Sequence, residues 1–157
     1  ITFMAQEIER KFLVQGDFKK NATSVIHIQQ GYIINGMVSM RIRVLTDRGY
    51  ITIKGPGNKS GTTRYEWERE LPLDKALILF ELCGIHSINK HRYLIPVGNH
   101  IFEVDEFHGA NEGLIIAEVE LSSEFESFEK PVFLAEEVTG DNKYYNASLI
   151  NLPYNKW

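Results

Sequence analysis

The sequence has little of three things, and each scarcity narrows what the protein can be. It has one cysteine, Cys83, so an intrachain disulfide is excluded and a reducing cytoplasm is the expected location. No apolar run approaches the roughly 20 residues of a membrane-spanning helix, and no stretch has the pattern of a signal peptide. Basic residues are not in excess: the formal net charge of −4 argues against a nucleic-acid partner.

The composition is that of an ordinary globular protein, with 43% hydrophobic and 24% charged residues. A chain of 157 residues predicts one domain with a sizeable core. Met4 is the expected native start, so that the domain spans residues 4–157, and the residues before it are interpreted as a foreign extension. Both a monomer and a homodimer are compatible with the sequence.

Short stretches in which ionisable and apolar residues alternate recur along the chain. In residues 7–14, a strand places Glu7, Glu9 and Lys11 on one face. Further strands are predicted at residues 25–34, 38–45, 50–54, 63–71, 87–97, 101–107 and 114–121. Hairpin signals such as the Asn-Gly pair at 35–36 join several of them, which predicts a mainly antiparallel sheet.

Helices are predicted at three places. One lies between Asp74, the expected N-cap, and Gly84, the expected first residue after the helix. A short helix is predicted from Pro131, at its first position, to about Val138. Asn146 is the expected cap of a last short helix.

The predicted strands carry their charges on one face and apolar side chains on the other. The same-face cations are Lys11, Arg41, Arg43, Lys54, Lys90 and Arg92. The principal same-face acids are Glu7, Glu9, Glu66, Glu68, Glu103, Asp105, Glu118 and Glu120. The helices can cover only part of the sheet, so we expect an α+β fold in which eight strands close into a barrel with a charged interior and a few covering helices.

A charged interior is costly unless its charges are paired or bind a ligand. Arginine and lysine suit a polyphosphate, and arginine adds bidentate contacts. Clustered carboxylates suit Mg²⁺ or Mn²⁺, which prefer hard oxygen ligands. The two sets together predict metal-assisted chemistry on a phosphate chain.

Three further features are interpreted as structural. The glycine-rich residues 55–61 superficially resemble a phosphate-binding loop, but no glycine precedes the lysine and no helix follows, so a hairpin connection is expected. Cys83 lies in an apolar run and is assigned to the core. The histidines lack the spacing of metal ligands.

The ordered set of charged motifs resembles the CYTH, or triphosphate tunnel metalloenzyme, family. Its ExExK signature is matched by Glu7, Glu9 and Lys11. The other matches follow in the family's order: Arg41-x-Arg43, Lys54, Glu66-x-Glu68, Lys90-x-Arg92, EVDEF at 103–107, AEVEL at 117–121 and VTGDNKYYN near the end. The resemblance covers nearly the whole chain. It implies an eight-stranded antiparallel tunnel that binds triphosphates with a divalent metal, Mg²⁺ or Mn²⁺.

The resemblance also implies roles for individual residues. The metal ligands would be Glu7, Glu9, Asp105, Glu118 and Glu120. The phosphate-binding residues would be Lys11, Arg41, Arg43, Lys54, Lys90 and Arg92. Lys11 and Tyr32 match a lysine–tyrosine pair proposed in some members to activate water, although Tyr32 could equally be a structural aromatic.

The compact bacterial members are chiefly inorganic triphosphatases, so hydrolysis of tripolyphosphate is the expected activity and a triphosphate the expected partner. Class IV adenylate cyclases and thiamine triphosphatases share the tunnel, and the fold alone does not choose among them. A cyclase needs a pocket for the base, for which the sequence offers no candidate. A non-catalytic polyphosphate-binding module is the remaining alternative, but it would not need Glu7 and Glu9 poised for a metal.

Overall fold

A computed structural model describes residues 8–57 and 64–157. Over these residues it contains nine strands and two α-helices. In chain order these are β1 (Ile8–Val14), β2 (Ser24–Asn35), β3 (Ser39–Val44), β4 (Gly49–Gly57), β5 (Arg64–Leu71), α1 (Leu73–Cys83), β6 (Ser87–Val97), β7 (His100–Phe107), β8 (Ile115–Leu121), β9 (Leu134–Glu137) and α2 (Asn146–Asn151). The mainly antiparallel β fold is as predicted, and two of the three predicted helices form; the last one begins at Asn146, with Tyr145 rather than Asn146 as its N-cap.

The described residues divide into two compact units, one holding residues 28–57 and 64–89 and the other residues 8–27 and 90–157. In the first unit, β2, β3, β4 and β5 pair in that order, each antiparallel to the next. One register row runs through Tyr32, Arg41, Thr52 and Glu68. Because opposite residues of paired strands share a face, this row shows that the charged residues of β3, β4 and β5 lie on one face, as predicted.

Helix α1 packs on the other face of this first sheet, where Ile42, Val44, Ala76 and Cys83 form a core cluster. Cys83 is therefore a core residue, as predicted. The approach is close at two glycines: a Cβ at Gly31 would lie 2.5 Å from the Cβ of Cys83, and one at Gly49 would lie 2.1 Å from the Cβ of Ala76. Only glycine allows the helix to pack so close to these strands.

The ends of α1 differ slightly from the prediction. Pro72 is the N-cap, and Asp74 lies in the first turn, where its charge favours the helix dipole. Gly84 ends the helix with φ of +55°, a value that glycine adopts readily.

In the second unit, β7 pairs with β6 and β8, and β1 pairs with β8 and β9, always antiparallel. One face of this sheet carries the larger core, which is centred on phenylalanines and small aliphatic residues. Its buried members are Phe12, Phe18, Ile95, Phe102, Val104, Ala117, Val119, Leu121 and Phe133. The register places Lys11 opposite Glu118, and Glu103 opposite the same Glu118, on the other face.

Strand β9 corrects the prediction of a helix from Pro131 to Val138. Residues Leu134–Glu137 are extended and pair with β1, and the amide of Val138 donates to the carbonyl of Lys11 over 2.9 Å. The segment forms a strand because the edge of β1 offers it hydrogen-bond partners, which a proline at a possible helix start does not reveal. It also makes nine strands over the described residues, where eight were expected. Closure into a barrel and the single domain stay predictions.

Candidate active site

In the first unit, a hydrogen-bonded row fixes the guanidinium of Arg41. Its Nη2 donates to Oγ1 of Thr52 over 3.3 Å, and the Thr52 hydroxyl donates to Oε2 of Glu68 over 2.7 Å. Glu68 also lies 3.7 Å from the same Nη2. Thr52 is fully buried, whereas the side chain of Glu68 is 42% exposed. A buried hydroxyl thus holds the cation in place while one acid of the row stays open to solvent.

Three more predicted residues lie on this face of the first unit. Lys54 pairs with Glu66 over 2.9 Å. Arg43 lies opposite Gln30 on β2, and Tyr32 lies opposite Arg41. The structure therefore brings Arg41, Arg43, Lys54 and Tyr32 onto one polar face. The two arginines and the lysine are cations that can donate hydrogen bonds to an anion.

In the second unit, the ammonium of Lys11 lies between two carboxylates. Its Nζ donates to Glu9 over 2.9 Å and to Glu118. Burial lowers the pKa of Lys11, but the charges and hydrogen bonds of Glu118 and Glu9 outweigh burial and leave the pKa above its ordinary value. Lys11 is therefore protonated at neutral pH while both carboxylates hold it.

A second charged cluster in this unit is centred on Asp105. Oδ2 of Asp105 accepts from Lys90 over 2.5 Å, and Arg92 donates to Oδ1 from Nε over 2.7 Å and to Oδ2 from Nη2 over 2.8 Å. Burial raises the pKa of Asp105, but Lys90 and Arg92 overcome it and bring the pKa to about 2. Arg92 also contacts Glu103, and its Nη2 lies 4.0 Å from Glu118, which links the cluster to Lys11.

The five predicted metal ligands differ in their partners and in their exposure. Glu9 and Glu118 converge on one cation and have side chains 33% and 18% exposed. Glu120 lies opposite Glu9 and is exposed. Both oxygens of Asp105 are bonded to cations. Glu7 lies outside the described residues, and among the residues that are described no group of three or more acids, histidines or cysteines is arranged to hold a metal.

Several residues of these faces were not assigned a role from the sequence. Thr52 and Gln30 share faces with Lys54 and Tyr32, which residue parity shows, but parity cannot show that both are fully buried. The ring centroid of Tyr145 lies 5.4 Å from Nζ of Lys11. No local sequence signal could have shown this contact, because the two residues are far apart in the chain.

Three histidines, for which the sequence showed no ligand spacing and no role, come together in the second unit. The rings of His27 and His91 stack with centroids 4.8 Å apart, and Nδ1 of His91 lies 2.7 Å from Nε2 of His108. His91 alternates with Lys90 and Arg92 along β6, so it lies on the other face of that strand from the charged cluster.

Comparisons with known proteins agree with the fold and the motifs. The CYTH domain family matches residues 5–149. An inorganic triphosphatase of Acetivibrio thermocellus is 44% identical over 153 residues, covering 96% of this chain and 97% of that protein. An inorganic triphosphatase of Nitrosomonas europaea is 32% identical over 149 residues, covering 91% and 95%.

Solved structures also match this fold. A crystal structure of an inorganic triphosphatase matches with a TM-score of 0.73 and 28% identity, over 95% of this chain and 97% of that one. A protein of Pyrococcus horikoshii matches with a TM-score of 0.54 and 23% identity, over 75% and 79%, and shows the fold alone. No helix in the described ranges is long and apolar enough to cross a membrane. The match to residues 5–149 and the two near-full-length relatives show that this chain belongs to the CYTH domain family.

Proposed function

We propose that this chain is a metal-dependent enzyme that hydrolyses inorganic triphosphate. Water attacks the terminal phosphorus, the bond to the bridging oxygen breaks, and orthophosphate and pyrophosphate leave. The observation that carries this proposal is the pairing of cations with carboxylates on one face of the strands in each unit. The two curated relatives of nearly the same length, both inorganic triphosphatases, support the choice of substrate.

The cations bind the phosphates. We assign this role to Lys11, Arg41, Arg43, Lys54, Lys90 and Arg92. An arginine can offer two parallel N–H groups to one phosphate, and the lysines add point charges. Arg92 would first have to release Asp105 or Glu103, which hold its guanidinium in the free protein. The contact of Arg41 with Thr52 and Glu68 holds its guanidinium in place before substrate arrives, which lowers the entropic cost of binding.

The carboxylates suit a metal ion, as enzymes of this family require. Glu9 and Glu118 already converge on one positive charge, and carboxylate oxygens are the ligands that Mg²⁺ and Mn²⁺ prefer. We assign Glu7, Glu9, Glu118, Glu120 and Asp105 to the metal. Asp105 would have to release a bond to Lys90 or Arg92 to take part. When bound, the metal neutralises charge on the phosphate oxygens.

Lys11 and Tyr32 are the pair that we assign to preparing the attacking water. Glu9 and Glu118 keep Lys11 protonated, so Lys11 can act as a base only after these carboxylates have moved to another partner. With its proton in place, Lys11 instead holds a phosphate oxygen. The two roles differ in whether arginine can replace lysine, because arginine does not lose its proton in proteins.

The proposed function is tested by supplying tripolyphosphate, ATP and thiamine triphosphate in turn with Mg²⁺ or Mn²⁺ and analysing the products. We expect orthophosphate from tripolyphosphate at the highest rate, and no cyclic AMP from ATP. Cyclic AMP and pyrophosphate as the main products would show a cyclase. Binding of tripolyphosphate without release of phosphate under any of these conditions would show a binding module.

A further inference from the structure

The side-chain amide of Gln30 is fully buried and makes no hydrogen bond within the part of the chain that the structure describes. Its side chain is 0% exposed, and neither its Nε2 nor its Oε1 has a partner among the described residues. It lies on the polar face of β2, directly opposite Arg43 and two residues before Tyr32. None of the roles assigned above uses it.

An amide in this state destabilises the free protein, because its N–H and C=O groups have lost water and gained nothing in return. An apolar side chain of the same size would avoid that cost. Buried polar groups in folded proteins nearly always have partners, so an orphaned one calls for an explanation such as a ligand that completes its bonds. The neighbouring Arg41 supports this, because its Nε is also buried and without a partner among the described residues.

We propose that Gln30 binds the triphosphate directly, by donating its amide N–H to a phosphate oxygen held by Arg43. This proposal rests on the proposed function. Residues on directly opposed positions of paired strands have Cβ atoms about 4.5–5.5 Å apart, so one phosphate can contact both side chains. A neutral donor suits this position, because it adds a bond to the anion without adding to the repulsion between Arg41 and Arg43.

The face also explains why glutamine and not glutamate stands here. A carboxylate at position 30 could pair with Arg43 in the free protein, but it would occupy the guanidinium and repel the phosphate. The neutral amide carries no charge that would compete with the phosphate for Arg43. The carbonyl oxygen Oε1, which only accepts, is left to a water molecule that accompanies the substrate.

The test compares Gln30→Met with Gln29→Met. Methionine keeps the length of the side chain and removes both hydrogen-bonding groups. Gln29 is a matched control, because it is the preceding residue on the same strand, is half-buried and lies on the opposite face, across from Val44. For Gln30→Met we expect kcat/KM with tripolyphosphate to fall about 10- to 100-fold, the loss given by one hydrogen bond to a charged group. The melting temperature should stay equal or rise, and Gln29→Met should keep the wild-type kcat/KM.

A second readout measures binding without turnover. Tripolyphosphate is titrated in EDTA, and the rise in melting temperature is followed for the wild type and both variants. We expect Gln30→Met to need about 10- to 100-fold more tripolyphosphate than the wild type for the same rise. A third variant, Gln30→Glu, keeps the proposal testable if Gln30→Met does not fold, since the carboxylate of this variant can pair with Arg43. We expect Gln30→Glu to lose at least as much affinity for tripolyphosphate as Gln30→Met.

The outcomes separate this proposal from the proposed function. If the wild type binds tripolyphosphate but does not hydrolyse it, the proposed function fails and the binding comparison still tests Gln30. If the wild type hydrolyses tripolyphosphate and both Gln30 variants keep wild-type kcat/KM and binding, Gln30 is a structural residue and the inference is overturned. A wild type that neither binds nor hydrolyses tripolyphosphate overturns both.

Discussion

At the scale of single residues, Glu9 shows how a charge can be paired with a buried cation and still be partly exposed to solvent. It holds Lys11 together with Glu118, so its removal leaves the ammonium with one carboxylate. We expect Glu9→Gln to fold and to lose metal-dependent turnover by more than about 100-fold, since a neutral amide is a poor ligand for Mg²⁺ and even outer partners of metal ligands are worth 10- to 100-fold. The measurement is orthophosphate release from tripolyphosphate against metal concentration.

Glu124→Gln is the control for this change, because Glu124 is an exposed acid beyond the end of β8. It should keep the wild-type rate and metal dependence. If Glu9→Gln also kept them, Glu9 would serve only to pair Lys11 and the metal would be held elsewhere.

A pH–rate series tests whether Lys11 and Tyr32 act as a pair that activates water. If they activate water, the rate of the wild type rises from neutral to alkaline pH, and this rise is lost or displaced in both Lys11→Arg and Tyr32→Phe. Tyr65→Phe serves as the control, since Tyr65 is an exposed tyrosine whose neighbours in sequence, and not itself, carry the charged face of β5. Near-wild-type rates with an unchanged profile in both variants would leave Lys11 as a phosphate ligand and Tyr32 as a structural aromatic.

At the scale of elements, the packing of α1 depends on glycine. A methyl group at Gly49 would lie 2.1 Å from the Cβ of Ala76, far inside van der Waals contact. Gly49→Ala should therefore lower the free energy of unfolding by about 1–3 kcal/mol, the usual cost of overpacking a core, as measured by urea denaturation. Gly36→Ala is the matched control in the β2–β3 hairpin, where the nearest atom to an added Cβ is 4.0 Å away. Equal stability of the two variants would show that α1 moves aside without cost.

Strands β1 to β8 could be predicted from the sequence, whereas β9 could not, and the reason is physical. Strands such as β6 and β7 have alternating faces and short hairpins, so their signals are local. The fate of residues 134–137 depends on the hydrogen-bonding edge of β1, which lies more than a hundred residues earlier in the chain. A proline at a possible helix start is equally compatible with an extended segment.

At the scale of the whole molecule, the histidine cluster should make stability depend on pH. Burial lowers the pKa of His91, and His27, His108 and Lys19 lower it further, against a smaller opposing effect of Glu106. In the unfolded chain, His91 titrates as free histidine does, at about pH 6.5. As the pH is lowered through this value, His91 takes up a proton in the unfolded chain before it does so in the folded chain. The free energy of unfolding therefore decreases as the pH is lowered, until the pH is below the pKa of His91 in the folded chain.

We therefore expect the melting temperature to fall between about pH 7.5 and about pH 5.5, a window above the titration of ordinary carboxylates. His91→Gln should reduce this fall. His86→Gln, at an exposed histidine, should leave it unchanged. The contribution of His91 would be disproved if the melting temperatures of His91→Gln and the wild type fell in parallel.

The charged faces of the candidate site were predictable, but their pairing was not. Alternation alone placed Arg41, Arg43 and Lys54 on shared faces, and the register confirms this. It could not show that Asp105 has both oxygens bonded to cations, because that depends on how deeply β6 and β7 are buried. Nor could it show the orphaned amide of Gln30, since a glutamine among charged residues on a strand has the pattern of a solvated one.

Strand β9 has a consequence for how this chain meets other chains. By pairing with β1, it occupies main-chain groups that an exposed edge would present to a strand of another molecule. The bond from the amide of Lys11 to Oγ1 of Thr139, over 3.0 Å, closes one more of these positions. Four residues and a threonine thus cover the edge of β1, the strand that carries Glu9 and Lys11, and leave only the short β9 as that edge of the sheet that the described residues form, and a short edge strand offers another chain few main-chain groups to pair with.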